Sequence, residues 1–166
     1  MSKFDELVQR TIKWSEGIDL FNQSTEMKQV SKAFEEIAEL IAAIDDNNEY
    51  EIKDAIGDIL VCAVNANYLY RGLGLLSPQP YTGVSFRKSA IIEEVSSSLL
   101  DNLYNSVAHS LNELCASIGV DINECFEMAV ETIEKRKLLM DNGKAVKWEN
   151  MTDGQRDQWR VLNESN

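Results

Sequence analysis

Apolar residues recur along most of the chain at spacings of three and four, which is the pattern of amphipathic helices. The pattern predicts five helices, over residues 3–16, 26–45, 49–71, 90–118 and 122–141. Residues suited to end or begin a helix flank these stretches: Gly17, Ser24, Thr25, and Asp121 with Glu124. We therefore expect an all-α, four-helix-bundle-like fold with one extra helix.

Two stretches interrupt the helical pattern. Residues 72–89 contain three glycines and both prolines, so we expect an irregular connection there. Asp141-Asn142-Gly143 has the composition of a hairpin turn, but a helix is predicted before it. We favour a helix C-cap at this point, followed by a short extended segment over 144–148. A short hairpin is the alternative.

The chain of 166 residues is the size of a single domain. We assign that domain to residues 1–149 and regard residues 150–166 as a polar C-terminal tail. The tail can fray, or Thr152 can cap a last short helix that carries Trp159.

The composition is strongly acidic, with 28 Asp and Glu against 16 Lys and Arg and a net charge of −12. Repulsion from phosphates argues against binding to a nucleic-acid duplex, whereas a divalent cation can bridge carboxylates to a small phosphorylated ligand. No apolar run reaches membrane-spanning length, and the start of the sequence lacks a signal-peptide pattern. The three scattered cysteines are typical of reduced thiols, so we expect a cytoplasmic protein without a membrane partner.

The helix predicted over 26–45 carries three acids that can converge on one side. They are Glu35, Glu36 and Glu39. We expect them opposite the apolar stripe that passes through Ile37, and a solvated helix face is the simplest interpretation. Lys32 shares this side one turn earlier, but Ala42 and Ala43 continue it, and a solvated face would remain charged there.

The helix predicted over 49–71 carries a second acidic group. Glu51, Asp54 and Asp58 share a sector, which Cys62 and Asn65 continue. The residues after Asp58 are apolar nearly all round, which is typical of a buried helix, and buried acids are costly unless they are paired or bound to metal. Because a short turn joins the two acid-bearing helices, they should pack antiparallel and face each other. Oxygen ligands of this kind favour Mg²⁺, with Mn²⁺ as the alternative.

Two short motifs coincide with these acidic groups. Glu35-Glu36-Ile37-Ala38-Glu39 spells EExxE, and Ile56-Gly57-Asp58-Ile59-Leu60 is similar to the end of an ExxD motif. In this order and spacing they resemble the MazG-like, all-α nucleoside triphosphate pyrophosphohydrolases. The resemblance extends over about 140 residues and includes the segment around Trp14, Lys28-Gln29, and Lys135-Arg136-Lys137.

The second motif departs from the family pattern. Ala55 stands where the first glutamate of ExxD is usual. Asp54 or Glu51 can supply the missing ligand, or Glu51-Ile52-Lys53-Asp54 is itself the motif one turn earlier. The sequence leaves these alternatives open.

The resemblance implies Mg²⁺-dependent hydrolysis of a nucleoside or deoxynucleoside triphosphate to the monophosphate and pyrophosphate. The metal ligands would be drawn from Glu36, Glu39, Glu51, Asp54 and Asp58, and Glu35 or Glu36 would accept the proton of the attacking water. The candidates for substrate contacts are Trp14, Lys32, Asn65, Arg136 and Lys137. Each has a structural alternative: Trp14 as a packing anchor, Asn65 as a hydrogen-bonded core residue, and residues 135–137 as partners of a helix dipole.

The resemblance also implies a homodimer or homotetramer. We expect the same from the helix over 49–71, because one small chain has difficulty covering a helix that is apolar all round. Two other functions stay open: a non-catalytic acidic helical interaction module, and an enzyme of the same fold that acts on another pyrophosphate substrate such as phosphoribosyl-ATP.

Overall fold

A computed structural model of the protein describes residues 1–81, 83 and 87–164. The helices are α1 (Lys3–Gly17), α2 (Leu20–Gln23), α3 (Glu26–Asp45), α4 (Glu49–Arg71), α5 (Lys88–Leu100), α6 (Tyr104–Ile118), α7 (Ile122–Glu134) and α8 (Asp153–Glu164). The strands are β1 (Leu138–Asp141) and β2 (Lys144–Lys147), and a 3₁₀ turn over Trp148–Asn150 follows them. The predicted all-α, bundle-like fold is confirmed. Within the described ranges, no helix has the length and apolar character needed to cross a membrane.

Helix α4 is the centre of the bundle and packs against α1, α3, α6 and α7. From Ala55 to Asn67 every residue except Asp58 is buried, as the apolar sequence predicts. Neighbouring helices of the same chain provide this burial. The covering of α4 therefore does not require a second subunit, and the oligomeric state stays a prediction.

Helices α3 and α4 form an antiparallel pair because a short turn joins them. Thr25 caps α3 by accepting a hydrogen bond from the backbone N–H of Lys28, and Asn48 caps α4 by accepting one from Glu51. Asn47 lies between the helices in the left-handed region, with a φ of 51°. The turn brings the acid-bearing stretches of the two helices to the same end of the bundle.

The prediction of a single helix over residues 90–118 is wrong, because the chain forms two helices there. Helix α5 ends at Leu100 and α6 begins at Tyr104. Asn102 adopts a left-handed φ of 58° between them, which a continuous helix excludes. Of the connection predicted over 72–89, residues 82 and 84–86 lie outside the described residues, and residues 72–81, 83 and 87 carry no helix or strand.

The helix predicted over 122–141 is also too long. Asp121 caps α7 as predicted, but α7 ends at Glu134, and the following residues form a hairpin. Asn142 and Gly143 both have positive φ, 50° and 75°, which is the geometry of a type I′ turn and not of a helix C-cap. The alternative of a short hairpin is therefore the correct one, with Leu139 opposite Val146.

Residues after Asn150 include a helix. Thr152 caps α8 by accepting a hydrogen bond from the backbone N–H of Gln155, as the sequence suggested. Near the other end of α8, the Asn163 amide donates to the carbonyl of Gly17, and this bond joins α8 to α1. Trp159 packs edge-on against Trp148 with 5.3 Å between the ring centroids.

Candidate functional site

A pocket of about 240 Å³ lies where α1, α3, α4, the end of α7 and the hairpin meet. One end is lined by charged side chains, namely Lys32, Glu36, Asp58 and Arg136. The other end is lined by Trp14, Gln29, Asn65 and apolar side chains that include Leu138, Met140 and Ala145 of the hairpin. The structure thus gathers six of the candidate site residues around one cavity.

Glu36 lies on the buried side of α3, which corrects the position expected from the sequence. Its exposed fraction is 4%, and Ile37 of the predicted apolar stripe is buried beside it, whereas Ile41, one turn further along that stripe, is 49% exposed. The helix turns its smaller residues, such as Ala33 and Ala43, toward the core. Glu36 therefore enters the pocket, while Glu35 points to solvent with a side chain that is 63% exposed.

Asp58 faces the same pocket from α4. The preceding Gly57 lets α4 approach α7 closely, since a Cβ at that position would lie 2.3 Å from the carbonyl oxygen of Cys125. Burial, followed by the charges of Glu36 and Asp54, raises the pKa of Asp58 to about 6. Among the described residues, no side chain or backbone N–H donates a hydrogen bond to its carboxylate.

Two cations lie at the charged end. The Lys32 ammonium is 2.9 Å from Glu35 and 2.8 Å from Glu36, and hydrogen bonds to these carboxylates raise the pKa of Lys32. The exposed Arg136 guanidinium has no ion pair within the described residues, although its charge opposes the rise in the pKa of Asp58. Arg136 is therefore available for an anion that enters the pocket.

The remaining predicted ligands lie beside the pocket and do not line it. The negative charge of Glu36 raises the pKa of Glu39, and the charge of Asp54 raises it further. These three acids are therefore close to one another. Glu51 is exposed, and it is not among the charges that most affect the pKa values of Asp58 and Glu39. Lys137 lies elsewhere, with its ammonium 5.2 Å from the centre of the Trp148 ring.

The other end of the pocket holds a short network of polar side chains. The Ser15 hydroxyl donates to the Asn65 amide oxygen at 2.7 Å, and the Asn65 amide nitrogen is 3.5 Å from the Gln29 amide oxygen. Gln29 in turn donates to the hydroxyl of Ser24 at 3.0 Å. The indole N–H of Trp14 is buried and has no acceptor within the described residues.

Gln29 and the hairpin residues of this pocket were missed as site residues. Gln29 precedes Lys32 by three positions and so shares its helix side, which is a usable signal. The hairpin residues Leu138, Met140 and Ala145 had no such signal in the sequence, because their side chains are ordinary apolar ones. Their position at the pocket follows from the turn at Asn142.

The donor set suits a hard divalent cation, since Glu36, Glu39, Asp54 and Asp58 offer oxygen atoms alone. The half-buried Asp58, which lacks a hydrogen-bond donor, is the kind of carboxylate that a cation stabilises. As the side chains of the described residues stand, no three Asp, Glu, His or Cys groups converge closely enough to hold an ion. Binding would require Glu36 to exchange its ion pair with Lys32 for the cation.

We expect Mg²⁺ or Mn²⁺ to raise the melting temperature of protein that has been treated with a chelator. At about 100 times the dissociation constant the gain is about 2.7 kcal/mol, or about 5–10 °C for a chain of this size. Differential scanning calorimetry at constant ionic strength measures it. The shift should shrink below about pH 6, because protonated Asp58 cannot bind a cation.

The matched control for this measurement is a carboxylate outside the pocket. Asp58→Asn should abolish the shift, whereas Asp101→Asn, at an exposed position between α5 and α6, should retain it. An equal shift in both variants would mean that the cations act on the overall negative charge and not on this pocket.

A larger groove of about 380 Å³ lies between α1, the end of α7 and α8. Two of its charged groups satisfy each other, because Arg10 donates to both carboxylate oxygens of Glu134 at 3.0 and 2.7 Å. The smaller pocket is the better candidate, since it combines two of the predicted acids with the guanidinium of Arg136, which has no ion pair within the described residues.

Comparison with known proteins gives a partial match. Over 64 residues the chain is 36% identical to an uncharacterized 18.2 kDa protein in the rep-hol intergenic region of Haemophilus phage HP1. The match spans 39% of this chain and 39% of the phage protein. No protein-family description matches the chain, and no solved structure matches it either.

Proposed function

We propose that this protein hydrolyses nucleoside triphosphates to the monophosphate and pyrophosphate with Mg²⁺, as the resemblance to MazG-like pyrophosphohydrolases implies. What supports the proposal is that one pocket has two chemically different ends. Its charged end, with Glu36, Asp58, Lys32 and Arg136, suits a metal-bound triphosphate, and its apolar and amide end suits a base.

The distance between these ends fits a nucleotide. Asp58 and Asn65 are seven positions apart on α4 and share a side of the helix, so about 10 Å separates them along its axis. A nucleotide spans about this length between its α-phosphate and the far edge of its base. The pocket can therefore receive both parts at once.

Asp54 is the better substitute for the glutamate that is missing at Ala55. Ala55 is buried in the core, so an acid at that exact helical position would point away from solvent. Asp54 is among the charges that most affect the pKa values of Asp58 and Glu39, and Glu51 is not among them. We assign Glu36, Glu39, Asp54 and Asp58 as the metal-binding group.

A bound Mg²⁺ would offset the charge of the triphosphate and polarise the water that attacks the α-phosphorus. Lys32 and Arg136 would contact phosphate oxygens at the mouth of the pocket. Glu36 is better positioned than Glu35 to accept the proton of that water, because it lines the pocket and Glu35 does not. The buried walls, which include Val61 and Ile133, would exclude other water molecules.

The experiment that tests this function is an assay of pyrophosphate release from a panel of nucleoside and deoxynucleoside triphosphates with Mg²⁺. The wild-type protein should release pyrophosphate and the corresponding monophosphate. Glu39→Gln should lower the rate by about 100-fold or more, because it removes one charged ligand at an exposed position that the fold does not depend on.

Three other outcomes would contradict the proposal. Release of orthophosphate would indicate a different phosphohydrolase. Turnover of phosphoribosyl-ATP without turnover of triphosphates would indicate a related enzyme of the same fold. Absence of turnover with either Mg²⁺ or Mn²⁺ would favour an acidic interaction module.

A further inference from the structure

The chain's own hairpin forms part of the pocket wall. Leu138 and Met140 of β1 and Ala145 of β2 line the pocket together with Trp14 and Asn65. The contacts that this end of the pocket offers to a base are available within one chain. Specificity can therefore be read from the residues of this pocket.

The size of the pocket limits the base. Its volume is about 240 Å³, whereas pockets for small-molecule ligands usually measure about 300–1,000 Å³. Part of that volume belongs to the charged end with Glu36 and Asp58. The space that remains suits one ring better than the two fused rings of a purine.

The polar groups at this end limit the base independently. The Trp14 indole N–H is a buried donor without an acceptor, and an indole can only donate. The Ser15 hydrogen bond orients Asn65 so that its NH₂ group faces Gln29, where one N–H stays free. The Gln29 oxygen accepts one long contact of 3.5 Å and keeps a lone pair.

The pocket thus offers two groups that can only donate, the Trp14 indole N–H and the free Asn65 N–H. The Gln29 amide keeps one N–H and one lone pair, so it can pair with either a donor or an acceptor. A complementary base edge therefore needs two acceptors, which cytosine, uracil and thymine have on their Watson–Crick edge, whereas guanine and adenine have one each. A base that leaves a buried donor of the pocket unpaired is disfavoured.

We infer that the pocket selects pyrimidine nucleotides, with Gln29, Asn65 and Trp14 contacting the base edge and the hairpin residue Met140 excluding a second ring. This inference rests on the proposed function, because it assumes that a nucleotide occupies the pocket. Gln29 and Met140 are specificity-determining residues in this scheme and are separate from the metal-binding acids.

The experiment compares kcat/KM for UTP, dUTP, dTTP, CTP and dCTP with that for ATP, dATP, GTP and dGTP. We expect the best pyrimidine substrate to exceed every purine by about tenfold or more. Comparison of the uracil, thymine and cytosine nucleotides shows which pyrimidine is preferred. A purine that equals the best pyrimidine would overturn the inference while leaving the proposed function intact.

Two variants test separately the two proposed causes of the preference, which are the polar groups and the size of the pocket. Gln29→Leu should lower the pyrimidine-to-purine ratio to about threefold or less by removing the amide that accepts from Asn65 and pairs with the base, and Gln158→Leu, on exposed α8, is its control. Met140→Ala should raise the purine kcat/KM by enlarging the space for a second ring. If neither variant changes the ratio, the inference is wrong.

A binding measurement tests the preference for pyrimidines even if the protein hydrolyses no triphosphate. Isothermal titration calorimetry with UMP, CMP, AMP and GMP reports on the base end alone. If no triphosphate is hydrolysed, tighter binding of UMP or CMP still supports a pyrimidine pocket. Equal binding of all four nucleotides, or binding of none, overturns it.

Discussion

Glu36→Gln is expected to lower kcat/KM for pyrophosphate release by about 100-fold or more. Glu36 is the acid of α3 that is buried in the pocket, and its carboxylate is the charge that most raises the pKa of Glu39. Replacing it with an amide removes a charged metal ligand and a group that can accept a proton, while the volume of the side chain is nearly unchanged. Steady-state assays of pyrophosphate release measure the loss.

The adjacent Glu35 provides a closely matched control. Both acids pair with Lys32, at 2.9 and 2.8 Å, so each variant removes one ion pair of the same lysine. Glu35→Gln should lower kcat/KM by less than about fivefold, because an exposed ion pair contributes about 0–1 kcal/mol. Equal losses in the two variants would refute the assignment of Glu36 as the functional acid, and circular dichroism verifies that both variants fold.

Gly57→Ala is expected to lower the free energy of unfolding by about 3 kcal/mol, or about 10 °C in melting temperature. The added Cβ would lie 2.3 Å from the Cys125 carbonyl oxygen and 2.7 Å from the Ala129 side chain. A backbone carbonyl cannot move aside as the end of a flexible side chain can, so α4 and α7 must separate. Urea denaturation followed by circular dichroism measures the change.

Gly154→Ala is the control for this variant. Gly154 lies in the first turn of α8 with open space around it, so alanine should change the free energy of unfolding by less than about 1 kcal/mol. A loss at Gly57 no larger than the change at Gly154 would show that α4 and α7 do not pack as described. The Gly57 variant should also bind cations more weakly, because Asp58 moves with α4.

The helices were predictable where one hydrophobic stripe coincides with one helix. Helices α3 and α4 have the predicted bounds, because Thr25 and Asn48 cap them and the turn between them is short. The break between α5 and α6 was missed although it has a signal, since the polar pair Asp101-Asn102 interrupts the apolar pattern and Asn adopts the left-handed region more readily than most residues. The residues Asp141-Asn142-Gly143 are compatible with a hairpin turn and with a helix C-cap. The structure distinguishes the two because α7 already ends at Glu134.

The site residues could be predicted where they follow from the periodicity of a single helix. Asp58 and Asn65 share one side of α4, and both face the pocket as their spacing requires. The position of Glu36 on the buried side of α3 was not predictable from that helix alone, because Ala33 and Ala43 rather than the larger Ile41 turn inward. That choice depends on how closely α3 approaches α4, a tertiary contact that periodicity does not encode.

The order in which a ribosome releases this chain also has consequences for its function. Residues that line the pocket range from Trp14, near the start, to Ala145 in the hairpin. The acids of α3 and α4 leave the ribosome together, but the wall that closes the pocket follows about 90 residues later. Until α6 and α7 have been synthesised, the side of α4 that packs against them has no cover, and a nascent chain is prone to aggregation at that stage. A nucleotide cannot stabilise this intermediate, because its pocket is completed by a hairpin that is made after α6 and α7.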